Sequence, residues 1–500
     1  MLFNSLEFVV FFLAVLVLYY VLPKKIRFIW LLFASYVFYG AWNVKYLALL
    51  FGITFATYLC GCIIDKITKS NIEAKKKEFA RKAVLTVGIV TNIGLLIYFK
   101  YMDFFAYNIY RVLGVLGIQI PEYHFDILLP VGISFITFQA LGYAIDVYRG
   151  RIKAEKNLLK YALFVSFFPQ LVAGPIERSE NLLTQIQRIH VQKKISYEKF
   201  TNGFALMLYG YFQKVFIADK AAVLANTVFA TPGQYSTIEL ALGAIAFSIQ
   251  IYCDFGGYSN IAIGAAQVLG FEMMENFNTP YFATSIQDFW RRWHISLSSW
   301  FKDYVYIPLG GNRCGKARRY FNLMVTFLVS GLWHGAQMTY VVWGGIHGFI
   351  QILEKEAADL IKKLGIKVKT EVFSYKVLKM LFTYFVVTIA WIFFRADNVS
   401  LAFAYIRQMF TNFDFAVLFN GSLYKLGLVK NDMTVLCIGV VILFLTELVR
   451  YKKNMRIEKY LCTQNLWFKW AVLIVMILCV VLFGEYGINY NAAEFIYFQF

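Results

Sequence analysis

Apolar runs long enough to cross a lipid bilayer recur from one end of this 500-residue chain to the other, and they decide what it can fold into. A spanning α-helix needs about 20 predominantly apolar residues. The clearest runs cover 6–22, 46–64, 83–99, 127–147, 237–252, 376–394, 434–449 and 468–484. Weaker ones cover 28–43, 104–117, 160–174, 202–226, 261–273, 321–333 and 337–353. The pattern predicts an all-α membrane protein with roughly 10–14 embedded helices and re-entrant segments. No internal duplication is visible, so one polytopic domain over 1–500 is expected, with 360–500 forming C-terminal helices. The first run, Leu6 to Leu22, follows no basic segment and no small-residue cleavage site, and reads as a retained helix.

Composition supports this. The chain is 59% hydrophobic and 16% charged, against about 45–50% and about 25% in soluble domains. Its 34 tyrosines and 10 tryptophans suit the water–lipid boundary. The net charge of +19 would suggest nucleic acid in a soluble protein. No nucleic-acid-binding motif accompanies it. The basic residues instead cluster in short loops: Lys24, Lys25 and Arg27; Lys66 to Lys82; Arg149 to Lys160; Lys362 to Lys369; Arg450 to Lys459. The positive-inside rule places these loops in the cytoplasm and both chain ends outside. The parity fails only near 104–147, where two crossings put Arg149 on the wrong side. An interfacial or re-entrant 104–117 is therefore expected. The seven cysteines include no CxxC pair and lie mostly in apolar runs, which reads as buried free thiols rather than a disulfide framework or a zinc site.

The stretch 250–350 differs from its flanks. Gly, Trp, Arg and His interrupt its apolar runs, and irregular polar backbone at membrane depth is tolerated only inside protein or along a water-filled cavity. This stretch is the candidate catalytic core. Of five histidines, His124 and His190 sit in polar loops and read as solvated. His334, in Ser330-Gly-Leu-Trp-His-Gly335, lies between apolar runs, where an ionisable residue is more often functional than a satisfied core histidine. His294, in Phe289-Trp-Arg-Arg-Trp-His-Ile-Ser296, adjoins Arg291 and Arg292, which suit an interfacial anchor as well as a site. His347 follows His334 by thirteen residues. On a continuous helix that is about 220° of rotation, which favours a structural role. Asp254, in Asp254-Phe-Gly-Gly-Tyr258, reads as a helix cap, an ion pair or an acceptor in a site. The chain has no GxSxG elbow, no P-loop and no HExxH motif. A histidine base suits acyl transfer to a hydroxyl, because its pKa lies near neutrality and it can accept the proton as the oxygen attacks a thioester.

These residues also carry a resemblance. Phe289 to Ser298, Asp303-Tyr-Val-Tyr-Ile-Pro-Leu-Gly-Gly-Asn-Arg313 and Ser330 to Gly335 resemble the membrane-bound O-acyltransferase family. So do Ala34 to Tyr39, Pro130 to Phe135, Ile145 to Gly150, Ala173 to Arg178 and Tyr252 to Ser259. Together they extend over about residues 1–350. Ile307 to Arg313 favours the alginate O-acetyltransferase branch over the D-alanyl transfer branch of teichoic acid synthesis. The resemblance implies helices ringed around a central funnel pinched at His334, with His294 as a second polar position. It implies an acetyl or other short acyl group taken from a cytoplasmic thioester, acetyl-CoA or an acyl carrier, with no bound cofactor. The acyl group would go to a cell-surface glycan or to a partner acetyltransferase outside. Arg291, Arg292, Asp254, Tyr258 and Trp333 are expected to contribute to substrate binding. The apolar tail, Ala493 to Phe500, gives no hint of the polymer. The rivals are a glycan or lipid transporter, which would spread embedded ionisable residues along a path, and a scaffold, which would not need His334.

Overall fold

The computed structural model describes residues 1–118, 120–121, 123–125, 127–172, 174–191 and 195–484. The tail Ala493 to Phe500, Ala173 of the Ala173–Arg178 motif, and Lys193 and Lys194 at the end of the His190 stretch lie outside the described residues. Among the described residues every regular element is helical. Six helices are long and apolar enough to cross a membrane: Lys45–Lys69, Ala74–Val115, Thr237–Val268, Phe373–Arg395, Lys430–Lys453 and Leu466–Phe483. Leu6–Val21, Arg27–Gly40 and Ile133–Tyr148 are shorter apolar helices. The protein is a multi-pass membrane protein. Leu466–Phe483 shows why: Leu473 is buried, Met476 and Val480 pack beside it, and apolar side chains such as Leu466, Trp467, Leu478 and Leu482 remain exposed on the helix surface.

Of the two readings of 104–117, a separate re-entrant segment is ruled out, because Met102–Val115 continues the helix before it. Ala74–Val115 is one run of 42 residues, about 63 Å at 1.5 Å per residue. It passes through a π-helical turn at Ile97–Tyr101. No proline interrupts it, and the charges of Lys100 and Asp103 do not break a helix. Counted as one crossing, as the expectation already required, this run lets the positive-inside rule put Arg149 on the side of Lys24 and Lys66. The runs 237–252 and 261–273 likewise belong to one element down to Val268, since Thr237–Val268 passes unbroken through Gly256 and Gly257.

The described chain divides into two compact units, a division that hydropathy does not mark. The first comprises Met1–Gly203 with Ala265–Met274. Here the family-like motifs meet as packing joints. Ser35 accepts the Phe168 backbone N–H at 3.1 Å, and the Tyr39 hydroxyl donates to the Val131 carbonyl at 3.0 Å. Gly132 has φ +73°, and a Cβ there would lie 2.4 Å from the Leu171 carbonyl oxygen, so no larger residue fits. Glu177 is buried and accepts from the Met274 backbone N–H and the Asn181 side chain.

The second unit comprises Phe204–Gly264 and the chain from Glu275 onward. Its helices approach closely where glycines allow it. A Cβ on Gly257 would lie 2.7 Å from the Gly210 carbonyl oxygen, and one on Gly210 would lie 2.6 Å from that of Gly257. Close backbone approach through small residues is a common solution for embedded helices, which gain packing that lipid cannot supply. Beside this crossing the π-helical turn Phe212–Ala218 carries Lys214. Its ammonium contacts Asp219 and Asp254, each at 2.7 Å, and all three side chains are almost fully buried. A second glycine pair, Gly331 and Gly344, joins Lys316–His334 to Met338–Lys363; added Cβ atoms there would meet backbone oxygens at 2.2 and 2.3 Å.

Candidate active site

The stretch from Glu275 to Gly335 builds the site from short helices and turns followed by the longer helix Lys316–His334. The Ser285 hydroxyl accepts the Asp288 backbone N–H at 3.0 Å and starts the helix Ile286–Arg292. Asp288 then pairs with Arg292 one turn on, at 2.9 Å. Arg292 also donates to Thr279 Oγ1 at 2.9 Å. The chain reverses at His294, which has φ +41°, and resumes as Ile295–Phe301. A non-glycine residue in this left-handed region is strained, and such strain persists only where its surroundings over-determine it. Here the Ile295 N–H donates to the Asn276 carbonyl and the Asn278 N–H to the Arg292 carbonyl, both at 2.9 Å, so the turn is held from both sides.

His294 is fully buried, with Phe255 edge-on at 4.7 Å between ring centroids. Its Nδ1 lies 3.0 Å from Asn276 Oδ1. His334 is the last residue of Lys316–His334 and is 4% exposed. Trp333, Trp343 and Phe394 enclose it at centroid distances of 4.9, 5.1 and 5.4 Å. The two imidazole centroids are 6.4 Å apart, with the rings inclined at 59°. Trp333 is 6.0 Å from His294. Two imidazoles at this separation are too far apart to stack and close enough to address one reacting group from two directions.

A cavity of about 1040 Å³ lies within the same stretch. Its wall includes Trp290, Arg291, Ser298, Lys302, Arg313 and Ser330. Ser330 is one helical turn before His334, on the same face. Among the described residues of the wall there are three cationic side chains and no carboxylate. Such a lining attracts an anionic group of phosphate type.

The structure brings His334, His294 and Trp333 together and puts Arg291 on the cavity wall. Arg292 is turned onto Asp288 and Thr279. Asp254, of its three sequence readings, takes the ion pair, held by Lys214. Tyr258 is buried on the same helix. His347 is not on a continuous helix with His334, because the chain breaks between His334 and Met338. It is fully buried among Phe289, Trp290, Phe327 and Trp343. His124 and His190 are exposed. Sequence reasoning missed Asn276, eighteen residues from the ring it contacts, and gave no role to Lys302 or Arg313. Lys214 carried the one usable signal, a lysine inside an apolar run.

Embedded helices, two buried histidines and, reached through Ile295 and Ser330, a cation-lined cavity whose wall includes neither ring suit acyl transfer at the bilayer, and the class itself comes from the comparisons. Residues 151–396 match the membrane-bound O-acyltransferase family, and the chain belongs to it. It is an O-acyltransferase. The chain is 40% identical over 413 residues to the probable alginate O-acetylase AlgI of Pseudomonas syringae pv. tomato, covering 82% of this chain and 75% of the relative. The peptidoglycan O-acetyltransferase of Helicobacter pylori is 36% identical, over 76% of this chain and 73% of its own. The teichoic acid D-alanyltransferase of Bacillus subtilis is 29% identical over a shorter part, 44% of this chain and 57% of its own.

Proposed function

We propose that this protein moves an acetyl group from a cytoplasmic thioester donor for O-acetylation of a cell-surface polysaccharide. The observation that carries the reading is the pair of buried histidines, His334 and His294, delivered from separate segments to within 6.4 Å. In the reaction an acceptor hydroxyl attacks the thioester carbonyl, and His334 takes the hydroxyl proton. His294 stabilises or orients the reacting groups. The tetrahedral intermediate collapses, the C–S bond breaks, and the proton passes from His334 to the leaving thiolate. The products are an ester and a free thiol, so no covalent acyl-enzyme is required. The acceptor hydroxyl belongs to the glycan or to a partner acetyltransferase outside the membrane.

The cavity supports the donor class. Arg291, Lys302 and Arg313, on a wall with no carboxylate among its described residues, suit the phosphates of acetyl-CoA or of a carrier's phosphopantetheine arm. The relatives named for alginate and peptidoglycan acetylation support a polysaccharide as the final acceptor. A scaffold has no use for two histidines gathered at one point, and a transporter would spread embedded ionisable residues along a path. The test uses the purified protein in proteoliposomes, with acetyl-CoA or an acetylated carrier on one side and a glycan fraction on the other. Thiol release and acetyl ester formation that both fall by about 10²-fold or more in His334→Ala are the expected result. Ester formation at the wild-type rate by a properly inserted His334→Ala protein refutes the catalytic assignment.

A further inference from the structure

His294 does not hold its own orientation; Asn276 holds it. Asn276 is 1% exposed, and its side chain is engaged on both ends. Its amide nitrogen donates to Ser259 Oγ at 3.0 Å. Its Oδ1 accepts from the Ser296 hydroxyl at 2.9 Å and from the Ser296 backbone N–H at 3.4 Å. A backbone N–H can only donate, so the atom facing it must be the amide oxygen. That settles which way the amide points, a choice the heavy-atom positions alone leave open. The same oxygen lies 3.0 Å from His294 Nδ1, which must therefore carry a hydrogen. In a neutral imidazole the lone pair then belongs to Nε2. The main chain of Asn276 completes the clamp, since its carbonyl accepts the N–H of Ile295, the residue after the strained turn.

We propose that Asn276 is the positioning residue of the acyl transfer: it selects the Nδ1–H tautomer of His294 and points Nε2 at the reacting groups, with Ser259 and Ser296 fixing Asn276 in turn. This rests on the orienting half of the role given to His294 above: with its lone pair on Nε2 the ring accepts a hydrogen bond from the reacting hydroxyl and has none to donate to the oxyanion. Partners that fix the tautomer and orientation of a reactive imidazole through its second nitrogen recur in catalytic and metal sites, and their loss costs activity without touching substrate.

The experiment compares wild type, Asn276→Ala, Asn276→Asp and His294→Ala in the proteoliposome assay across pH. Asn276→Ala is expected to lower kcat about 100-fold with donor KM unchanged, as a misoriented catalytic group does. Asn276→Asp keeps an acceptor for Nδ1–H and for Ser296, so it recovers part of that loss. Its negative charge favours the imidazolium, so the acidic limb of its pH–rate profile moves to higher pH. In wild-type protein with ¹⁵N-labelled histidine, the signal lost in His294→Ala is expected to show a protonated Nδ1 and an unprotonated Nε2. An Nε2–H tautomer overturns the proposal, whatever the variants do. Wild-type kcat and pH profile in both Asn276 variants, with His294→Ala inactive, overturn it while leaving His294 its role. Full activity in His294→Ala removes the role of His294 and the proposal together.

Discussion

Single side chains of the candidate site divide into those proposed to react and those that hold them in place. His334→Ala removes the proposed base and is predicted to lower kcat by about 10²–10⁴-fold, with donor KM near the wild-type value. Lys302→Gln and Arg313→Gln remove charge from the cavity wall and are predicted to do the opposite, raising donor KM about tenfold each with kcat held. Steady-state kinetics with acetyl-CoA and with an acetylated carrier separates the two classes; a fall in kcat alone in the cavity variants would place the donor elsewhere. His334 and His294 were legible in the sequence because ionisable residues beside apolar runs are conspicuous. Asn276 was not, since an asparagine eighteen residues from its partner has no local signature. Arg292 looked the same as Arg291 in sequence, and only the fold shows that it pairs with Asp288 while Arg291 borders the cavity.

At the scale of elements, buried polar contacts decide which helices can meet. The cluster of Lys214 with Asp219 and Asp254 holds the π-helical turn against Thr237–Val268, with one cation between two carboxylates. Lys214→Met leaves both carboxylates buried without their cation and is predicted to cost about 3–5 kcal/mol. Asp254→Asn leaves Lys214 paired with Asp219 and costs less. Thermal unfolding of the two variants in detergent checks the order; equal losses would mean the cluster is not held through Lys214. In the first unit, burial raises the Glu177 carboxyl to about 7 from the usual value of 4.5. The native state therefore keeps a proton that the unfolded chain loses over that interval, and the stability this gives is lost as pH rises from 4.5 through about 7. Glu177→Gln is predicted to flatten this loss in melting curves taken between pH 5 and 8, and an unchanged slope would contradict it. The spans were legible from run length, but their joins were not. Hydropathy split Ala74–Val115 at Lys100 and Thr237–Val268 at its glycines, whereas hydrogen-bonded helix continues through both. The joint of Gly210 with Gly257 depends on a crossing that no single run encodes.

At the scale of the whole molecule, the basic loops set the topology. With Ala74–Val115 counted as one crossing, the positive-inside rule predicts Lys24, Lys75 and Arg151 on a common cytoplasmic side and Gly117 on the other. Single cysteines introduced at these positions in a cysteine-free background test it. Only the one at Gly117 is predicted to react with an impermeant maleimide in intact cells, and labelling at Arg151 would restore the extra crossing. That arrangement matters because the account moves an acyl group from a cytoplasmic donor to the outside. The central claim is that this transfer is acetylation and runs through His334. The most direct measurement is the ester-linked acetate on cell-surface glycans in cells lacking the protein, complemented with wild type or His334→Ala. The account predicts that acetate disappears in the deletion and returns only with wild type. Unchanged acetate in the deletion, or full restoration by an inserted His334→Ala protein, would contradict it.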